Sequence, residues 1–533
     1  MRSFQKKNSL LCGIGVFLTT FNTNLFAAPE YEFLGYVRQH VAVKLQDSPE
    51  ISAATGKKIN GKGKLSMSRT TVRLEGHATF DDVKFVGIFR SDRERRTSYL
   101  KDLEKSAVAS SFTPSPPAPA AIPAGLGDAF LDEYDNDELR EAYVSFDLGD
   151  RYTFRLGKQQ IVWGETDVLR ITDVVMGYDT RWRSILESEN EELRKPLIMA
   201  NVTIGLPELN GSLQLVFRPG WDDDEAPINN VDLEGGRWAG QPGKGTDALF
   251  RAPYNFDHSS GDTKDANYGL RFSGEYNQIG YSLMYYRGLT LDPVVNSAFN
   301  PFGDAPTAPG GAEVIFPMTE TYGFTFNAYA TPIDTVFRGE FAYSPNTPYN
   351  IRGFATTFPV GPFGPPSIAA LTGTSGLGGI KEKSTLKSMI GIDKNLSLQG
   401  LLGTGRDSLW TSQIFDQWIT NWDEDDDLAD LFGYGAPKKE HWTVLTTVLA
   451  MNYDYDTINP SLTLVYDLSN KDVIFVPGVD FVLGDSWRLK IDANIMLSAS
   501  SKEPGDSPLE TDTNLFGTFA NNSQLNFRLS YYF

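Results

Sequence analysis

The sequence predicts an all-β chain closed as a transmembrane antiparallel β-barrel of about eighteen strands, fourteen being about the lower bound, with long extracellular loops, some folded into the lumen. Three observations predict it. The stretch Gln524 to Phe533 alternates, with Leu525, Phe527, Leu529, Tyr531 and Phe533 apolar and Gln524, Asn526, Arg528 and Ser530 polar. Successive strand side chains point to opposite faces, so about ten residues present one apolar and one wet wall, which is the span of a bilayer-crossing strand. The connections between such segments alternate short and long, with short turns facing the periplasm in outer-membrane barrels. Beyond the first residues no apolar run approaches the length of about 18 residues that a membrane helix needs, and closed barrels are the other way to satisfy the backbone in lipid.

At the N-terminus, Arg2, Lys6 and Lys7 precede the apolar run Leu10 to Leu18, and a small-residue site follows at Ala27-Ala28. This pattern predicts a signal peptide over 1–27, leaving 28–533 as a single barrel domain. The only cysteine, Cys12, falls inside the leader, so the mature chain has neither a disulfide scaffold nor a thiolate metal site. With 48 basic and 68 acidic residues the net charge is −20, which disfavours nucleic acid as a partner. Acid gathers in Asp132 to Glu138, Glu187 to Glu192, Trp221 to Glu225 and Asp423 to Asp427. These clusters lie between alternating segments and read as solvated loops beside lipopolysaccharide and the outer-membrane lipids, or as divalent-cation collectors.

The first strand puts Tyr31, Phe33, Gly35, Val37, Val41 and Val43 on one face and Glu32, Tyr36, Arg38, His40 and Lys44 on the other, with no hatch domain expected before it. Further strands are expected at 65–78, 83–90, 139–148, 152–163, 197–206, 212–218, 268–276, 279–288, 322–329, 335–343, 386–393, 397–403, 442–455, 461–468, 473–483 and 487–497, before the terminal strand. Short turns fall at 79–82, 149–151, 207–211, 277–278, 331–334, 394–396, 456–459 and 484–486. Between them lie an inserted segment, 91–138, and loops 164–196, 219–266, 289–321 and 344–385. The alternation leaves strand and loop unseparated over Ser397 to Asn421.

The insertion 91–138 contains a Pro/Ala/Ser run, Phe112 to Pro123, that favours extended polyproline backbone. Between Arg352 and Lys381 there is no charge, while Phe354, Phe358, Phe363 and Leu371 sit among Gly, Pro and Thr. That loop either packs on its own barrel or offers an apolar surface to a ligand. In the strand beginning at Tyr152 the parity breaks: Lys158 and Gln160 would face lipid and Ile161 and Trp163 the lumen. A bulge near Gln159, or a strand leaving the bilayer there, accounts for the break. With a bulge, Gln159, Trp163, Glu165 and Asp167 lie at the outer lumenal rim and pin the following insertion, within reach of Arg170, Arg181 and Arg183.

The run Arg155-Leu156-Gly157-Lys158-Gln159, then Trp163-Gly164-Glu165 and Asp167, followed by Ile171-Thr172-Asp173-Val174-Val175, resembles an uncharacterised proteobacterial outer-membrane family catalogued as a domain of unknown function. The resemblance covers nearly the whole mature chain. It carries over Lys158, Gln159, Trp163, Gly164, Glu165, Asp167, Asp173 and Asp179 as binding or lumen-rim positions; Gly177 departs from the Asn-Pro-like residues expected before Asp179. The resemblance implies a periplasmic carrier and an inner-membrane RND-type transporter as partners, and traffic in hydrophobic molecules, with alkane-uptake proteins among the relatives. The terminal Phe533 likewise resembles the signal read by barrel-assembly machinery.

Enzyme chemistry is not expected. The 4 histidines, His40, His77, His258 and His441, lie in no arrangement with a nucleophile, and His40 reads as a lumenal hydrogen-bonding group. Gly125 to Gly127 and Gly403 to Gly405 precede no phosphate-cradling helix, so no cofactor is expected. Three functions remain: transport of hydrophobic small molecules or lipids, alkane-like or fatty-acid-like, through a partly plugged barrel; an acidic, cation-selective diffusion porin; and a surface interaction protein using its acidic loops. The bacterial outer membrane is the expected location for each.

Overall fold

The computed structural model describes residues 29–47, 60–99, 101, 135–179, 190–222, 255–296, 313–351, 379–430, 436–499 and 523–533. The expected signal peptide, the Pro/Ala/Ser run and the apolar-loop residues Phe354, Phe358, Phe363 and Leu371 lie outside the described residues.

Eighteen strands close one antiparallel barrel. They are β1 (Glu30–Lys44), β2 (Leu65–Phe80), β3 (Val83–Glu94), β4 (Asn136–Leu148), β5 (Tyr152–Gln159), β6 (Leu197–Leu206), β7 (Gly211–Arg218), β8 (Asn267–Tyr276) and β9 (Ile279–Leu289). The second half comprises β10 (Met318–Ala330), β11 (Thr335–Ile351), β12 (Ile380–Leu396), β13 (Ser408–Ile419), β14 (His441–Ala450), β15 (Ile458–Asp467), β16 (Asp472–Leu483), β17 (Trp487–Leu497) and β18 (Gln524–Tyr532). Each strand pairs with its neighbours in sequence, and β1 closes the ring on β18 through Tyr36 opposite Tyr532 to Lys44 opposite Gln524. Two short pieces, Leu428–Asp430 and Ala436–Pro437, extend the sheet beyond β11.

The alternation is inverted relative to a soluble protein. On β18 the polar Gln524, Asn526, Arg528 and Ser530 are buried, whereas Leu529 is 40% and Tyr531 37% exposed. Polar side chains satisfy one another inside, and apolar ones await lipid outside, the arrangement that a barrel in a bilayer requires. Aromatic rings line the outer surface: Tyr268, Tyr285 and Tyr322 form a neighbouring series on β8 to β10, and Trp487, Tyr531 and Phe533 another at the short-turn end. Such girdles sit at the two interfaces of a membrane.

The short-turn rhythm is present, with compact turns held by residues of positive φ such as Asp81, Asn210, Asp334 and Gly484. Several boundaries differ from the sequence-based expectation. Residues 397–403 are not a strand: Gln399–Leu402 forms a helical turn closed by Gly403 at φ +70, and the strand is Ser408–Ile419. Leu409 and Trp410 are adjacent apolar residues on opposite faces, which masked the alternation there. Strands β3, β11 and β12 run past their expected ends, so the loops at 91–138 and 344–385 are shorter than drawn. The tight link Leu468 to Lys471 falls on the long-loop side of the barrel.

The largest difference concerns β5. It stops at Gln159 and keeps an unbroken register with β4 and β6 to its end, so it carries no bulge. The irregularity lies across the sheet, where Ile88 pairs Glu141 but Phe89 pairs Leu139, making Arg140 the extra residue of β4. After Gln159 the chain turns into the lumen. Gly157 makes the approach feasible: at φ +128, a Cβ there would stand 2.3 Å from the Ala142 carbonyl oxygen and 2.8 Å from Tyr143 Cα. Only glycine fits that contact.

A candidate site formed by the lumenal insertion

Residues 160–179 and 190–196 fold into the barrel, the first as an outgoing limb and a crossing and the second as a return limb. The outgoing limb stays extended for a few residues, so that Ile161 and Trp163 share the inward face. Both are buried, with Val175, Met176, Leu197, Met199, Val216, Met284 and Tyr286 around them. Trp163 is 0% exposed, its ring lying edge-on to Tyr286 at 5.9 Å, and its Nε1 donates to Gln214 Oε1 at 2.8 Å. Gln214 donates in turn to Asn201, and Asn201 to Gln159. Gly269 leaves the hollow that the indole occupies, a Cβ there falling 2.7 Å from the ring. A buried indole with its single donor satisfied is a strong apolar anchor.

The crossing reaches the opposite wall. Glu340 on β11 accepts from the Glu165 amide, from the Thr172 amide at 3.1 Å and from Thr172 Oγ1 at 2.7 Å. Two residues along the same face, Arg338 donates to Glu165 O at 2.6 Å, Asp167 Oδ2 at 3.2 Å, Asp393 Oδ1 at 2.7 Å and Thr411 Oγ1 at 3.2 Å. Gln413 on β13 holds Asp167 from the other side, donating to its carboxylate at 2.8 Å and accepting from its amide. Arg271 on β8 faces Glu165 at 3.8 Å. Gly164 passes close to Asp173, whose Cβ lies 3.0 Å from where a Gly164 Cβ would be.

The return limb is clamped by arginines of β1 to β4. Arg38 pairs bidentately with Glu192, Arg73 with Glu191, and Arg90 donates to Glu192 O. Arg140, the bulged residue of β4, donates to Glu191 O and Arg194 O. The two limbs are tied together: Asp173 accepts from Arg194 Nη2 at 2.8 Å, and a short ladder links Asp179 N to Leu193 O and Lys195 N to Gly177 O. Buried ion pairs of this kind are costly to break, because removing one partner strands the other charge.

The expected site residues thus divide. Gln159, Trp163, Gly164, Glu165, Asp167 and Asp173 meet in the lumen, and Asp179 belongs to the limb-to-limb ladder. Lys158 does not join them: it sits opposite Ala142 and Ile198 on the outward parity. The expected partners were also different. Glu165 and Asp167 engage Arg271 and Arg338 of the barrel wall, whereas Arg170 donates to Met176 O and lies 3.9 Å over the Tyr178 ring; Arg181 and Arg183 lie outside the described residues.

A second feature was not anticipated from the sequence. The lumenal parity of β6 to β17 carries runs of apolar side chains or glycine in laterally adjacent positions, interrupted where Ala342 faces Lys387 and Val444 faces Asp467. Val216 faces Gly269, Gly269 faces Tyr286, Met284 faces Gly323 and Gly323 faces Ala342. Met389 then faces Phe415, Phe415 faces Val444, Val465 faces Ile474 and Ile474 faces Met496. Ile171 of the insertion packs on this second half, with Val168, Leu169, Trp442 and Val476 beside it. The signal was present in Val473-Ile474-Phe475-Val476, a run apolar on both parities, where a water-lined strand would alternate.

The family model for a protein of unknown function (DUF1302) matches residues 64–533. The chain belongs to that family. Among curated proteins none matches it. Similar solved structures include Salmonella typhi OmpF in complex with daunomycin, with 8% identity over 96% of this chain and 100% of that chain at a TM-score of 0.40. OccAB1 of Acinetobacter baumannii shows 9% identity over 95% and 96% at 0.43, and Pseudomonas aeruginosa opdK 8% over 95% and 98% at 0.42. The likeness is one of barrel architecture.

Proposed function

We propose that this family member is an outer-membrane transporter that passes hydrophobic small molecules or lipids, alkane-like or fatty-acid-like, through a barrel partly closed by residues 160–179 and 190–196. The observation that carries the reading is the apolar row on the inner wall of β6 to β17. A water-filled pore gains nothing from lumenal Met389, Phe415, Val444, Val465, Ile474 and Met496, whereas a solute leaving water for such a wall gains about 25 cal/mol per Å² of apolar surface it buries. The seated insertion covers part of that row. A solute must compete with it or move it aside. A periplasmic carrier and an RND-type inner-membrane transporter are the partners proposed with this role, because an apolar solute released into the periplasm needs a protein to take it up. Gentle purification followed by mass spectrometry of bound organics tests the reading; hydrocarbon or lipid no more abundant than on an unrelated barrel of similar size refutes it.

The net charge of −20 favours a second reading, a cation-selective diffusion porin. Planar-bilayer recording separates the two. Large, steady, cation-selective steps belong to the porin, and a channel closed at rest belongs to the plugged transporter.

A further inference from the structure

Among the described residues several lumenal cations are neutralised by contact: Arg38 by Glu192, Arg69 by Glu94, Arg338 by Asp393 and Arg528 by Asp492. Lys387 on β12 differs. It is half-buried on the lumenal parity, between Ala342 of β11 and Gln417 of β13, and among the described residues it makes no hydrogen bond or contact ion pair. Asp292 acts on it at longer range, but Arg170 and Lys438 add positive potential at the same place. Immediately below it on the same face of β12 is Met389, with Phe415 and Val444 in the next two strands.

We propose that Lys387 binds the anionic head of an amphipathic solute whose apolar tail lies along Ala342, Met389, Phe415 and Val444. This rests on the transport reading above and narrows its substrate from apolar molecules in general to those with one acidic end. Two features converge on it. An ammonium with no contact ion pair among the described residues, and with Arg170 and Lys438 adding positive potential, is a site for an anion. Its neighbours on the inner wall are the apolar Ala342 and Met389 and the polar Gln417 and Thr385, so the molecule that satisfies both the ammonium and the apolar row is an anion joined to an apolar body. On the layer above, Tyr349 and Thr385 hydroxyls lie 2.8 Å apart and supply hydroxyl groups near the head. A small inorganic anion would satisfy Lys387 and leave the apolar row unused; a neutral alkane would do the reverse.

The test uses the full-length protein in neutral detergent and equilibrium binding of three radiolabelled probes: hexadecanoate, 1-hexadecanol and hexadecyl phosphate. Wild type is expected to prefer the two anions over the alcohol by about ten- to hundredfold, the range of one charge-assisted hydrogen bond. Lys387→Met is expected to remove that preference while leaving alcohol binding within about twofold, and Lys387→Arg to keep it. Preference between hexadecanoate and hexadecyl phosphate tells a carboxylate solute from a phosphate lipid. Equal wild-type affinity for hexadecanoate and hexadecanol overturns the proposal and leaves apolar transport standing; binding of none of the three overturns both. The wild-type comparison stands whether or not Lys387→Met assembles.

Discussion

Replacing Glu340 by Gln should loosen the insertion without unmaking the barrel. The carboxylate is 1% exposed and accepts from Glu165 N, Thr172 N and Thr172 Oγ1. A hydrogen bond to a charged group is worth about 1.5–3 kcal/mol and a neutral one about 0.5–1.5. The amide keeps one accepting oxygen but turns an N–H₂ toward a donor, so one bond becomes a donor–donor contact costing about 1–3 kcal/mol and the others weaken. The net loss is about 3–4 kcal/mol, which raises the detached fraction of the crossing by about two to three orders of magnitude. Trp163, Arg338 and the arginines on the return limb still hold the rest. The variant should therefore migrate as a heat-modifiable folded barrel, while opening events in planar bilayers become at least about a hundredfold more frequent and proteases cut within residues 160–179. A folded variant with wild-type gating and protease resistance would show that this carboxylate does not hold the insertion.

The double change Glu165→Gln and Asp167→Asn removes the insertion's charges facing Arg271 and Arg338, Arg338 keeping Asp393, and should leave an assembled barrel with altered flux or ligand retention; loss of assembly would make the pair structural, and unchanged transport would exclude it from the pathway. Gly157→Ala should prevent normal closure of β4 on β5, since its Cβ would stand 2.3 Å from Ala142 O at φ +128, a strain of at least about 1–3 kcal/mol; recovery of fully heat-modifiable protein at wild-type yield would contradict this. In the extracellular loop after β13, hydrogen bonds from Lys381 and then Lys383 hold the Asp426 carboxyl below its ordinary value of 3.8. The stability it contributes is present above that value and is lost as pH falls through the depressed folded value, so hydrogen exchange across 379–383 and 423–430 should accelerate only below about pH 4. Asp426→Asn should exchange fast at neutral pH and lose that acid step; an unchanged acid step would assign it to another group.

Strand identity was readable because each strand carries its own evidence. Lipid demands an unbroken apolar parity over the span of the membrane, and the short turns carry Gly, Asn and Asp where φ is positive. The one strand that was missed, Ser408–Ile419, begins with Leu409 and Trp410 on opposite faces, where local periodicity is silent. The motif ending in Trp163-Gly164-Glu165 was also readable as a place where the rules of a strand fail. Its consequence was not. Lys158 counted as a lumenal residue only if a bulge moved the register, and the irregularity instead falls on β4 at Arg140, a residue that no feature of β5 points to.

By itself the sequence determined an acidic, all-β chain with alternating walls, short turns on one side, and a break in strand parity near Gln159. Those properties depend on residues a few positions apart. Only the tertiary structure decided where the insertion after Gln159 goes, that Glu340, Arg338 and Gln413 receive it, and that Met389, Phe415, Val444, Val465, Ile474 and Met496 form one surface. The reason is that a barrel fixes lateral neighbours through strand register and closure. Residues far apart in sequence become adjacent by hydrogen-bonded pairing, and a side chain that looks like a stray apolar residue on its own strand becomes part of a continuous wall.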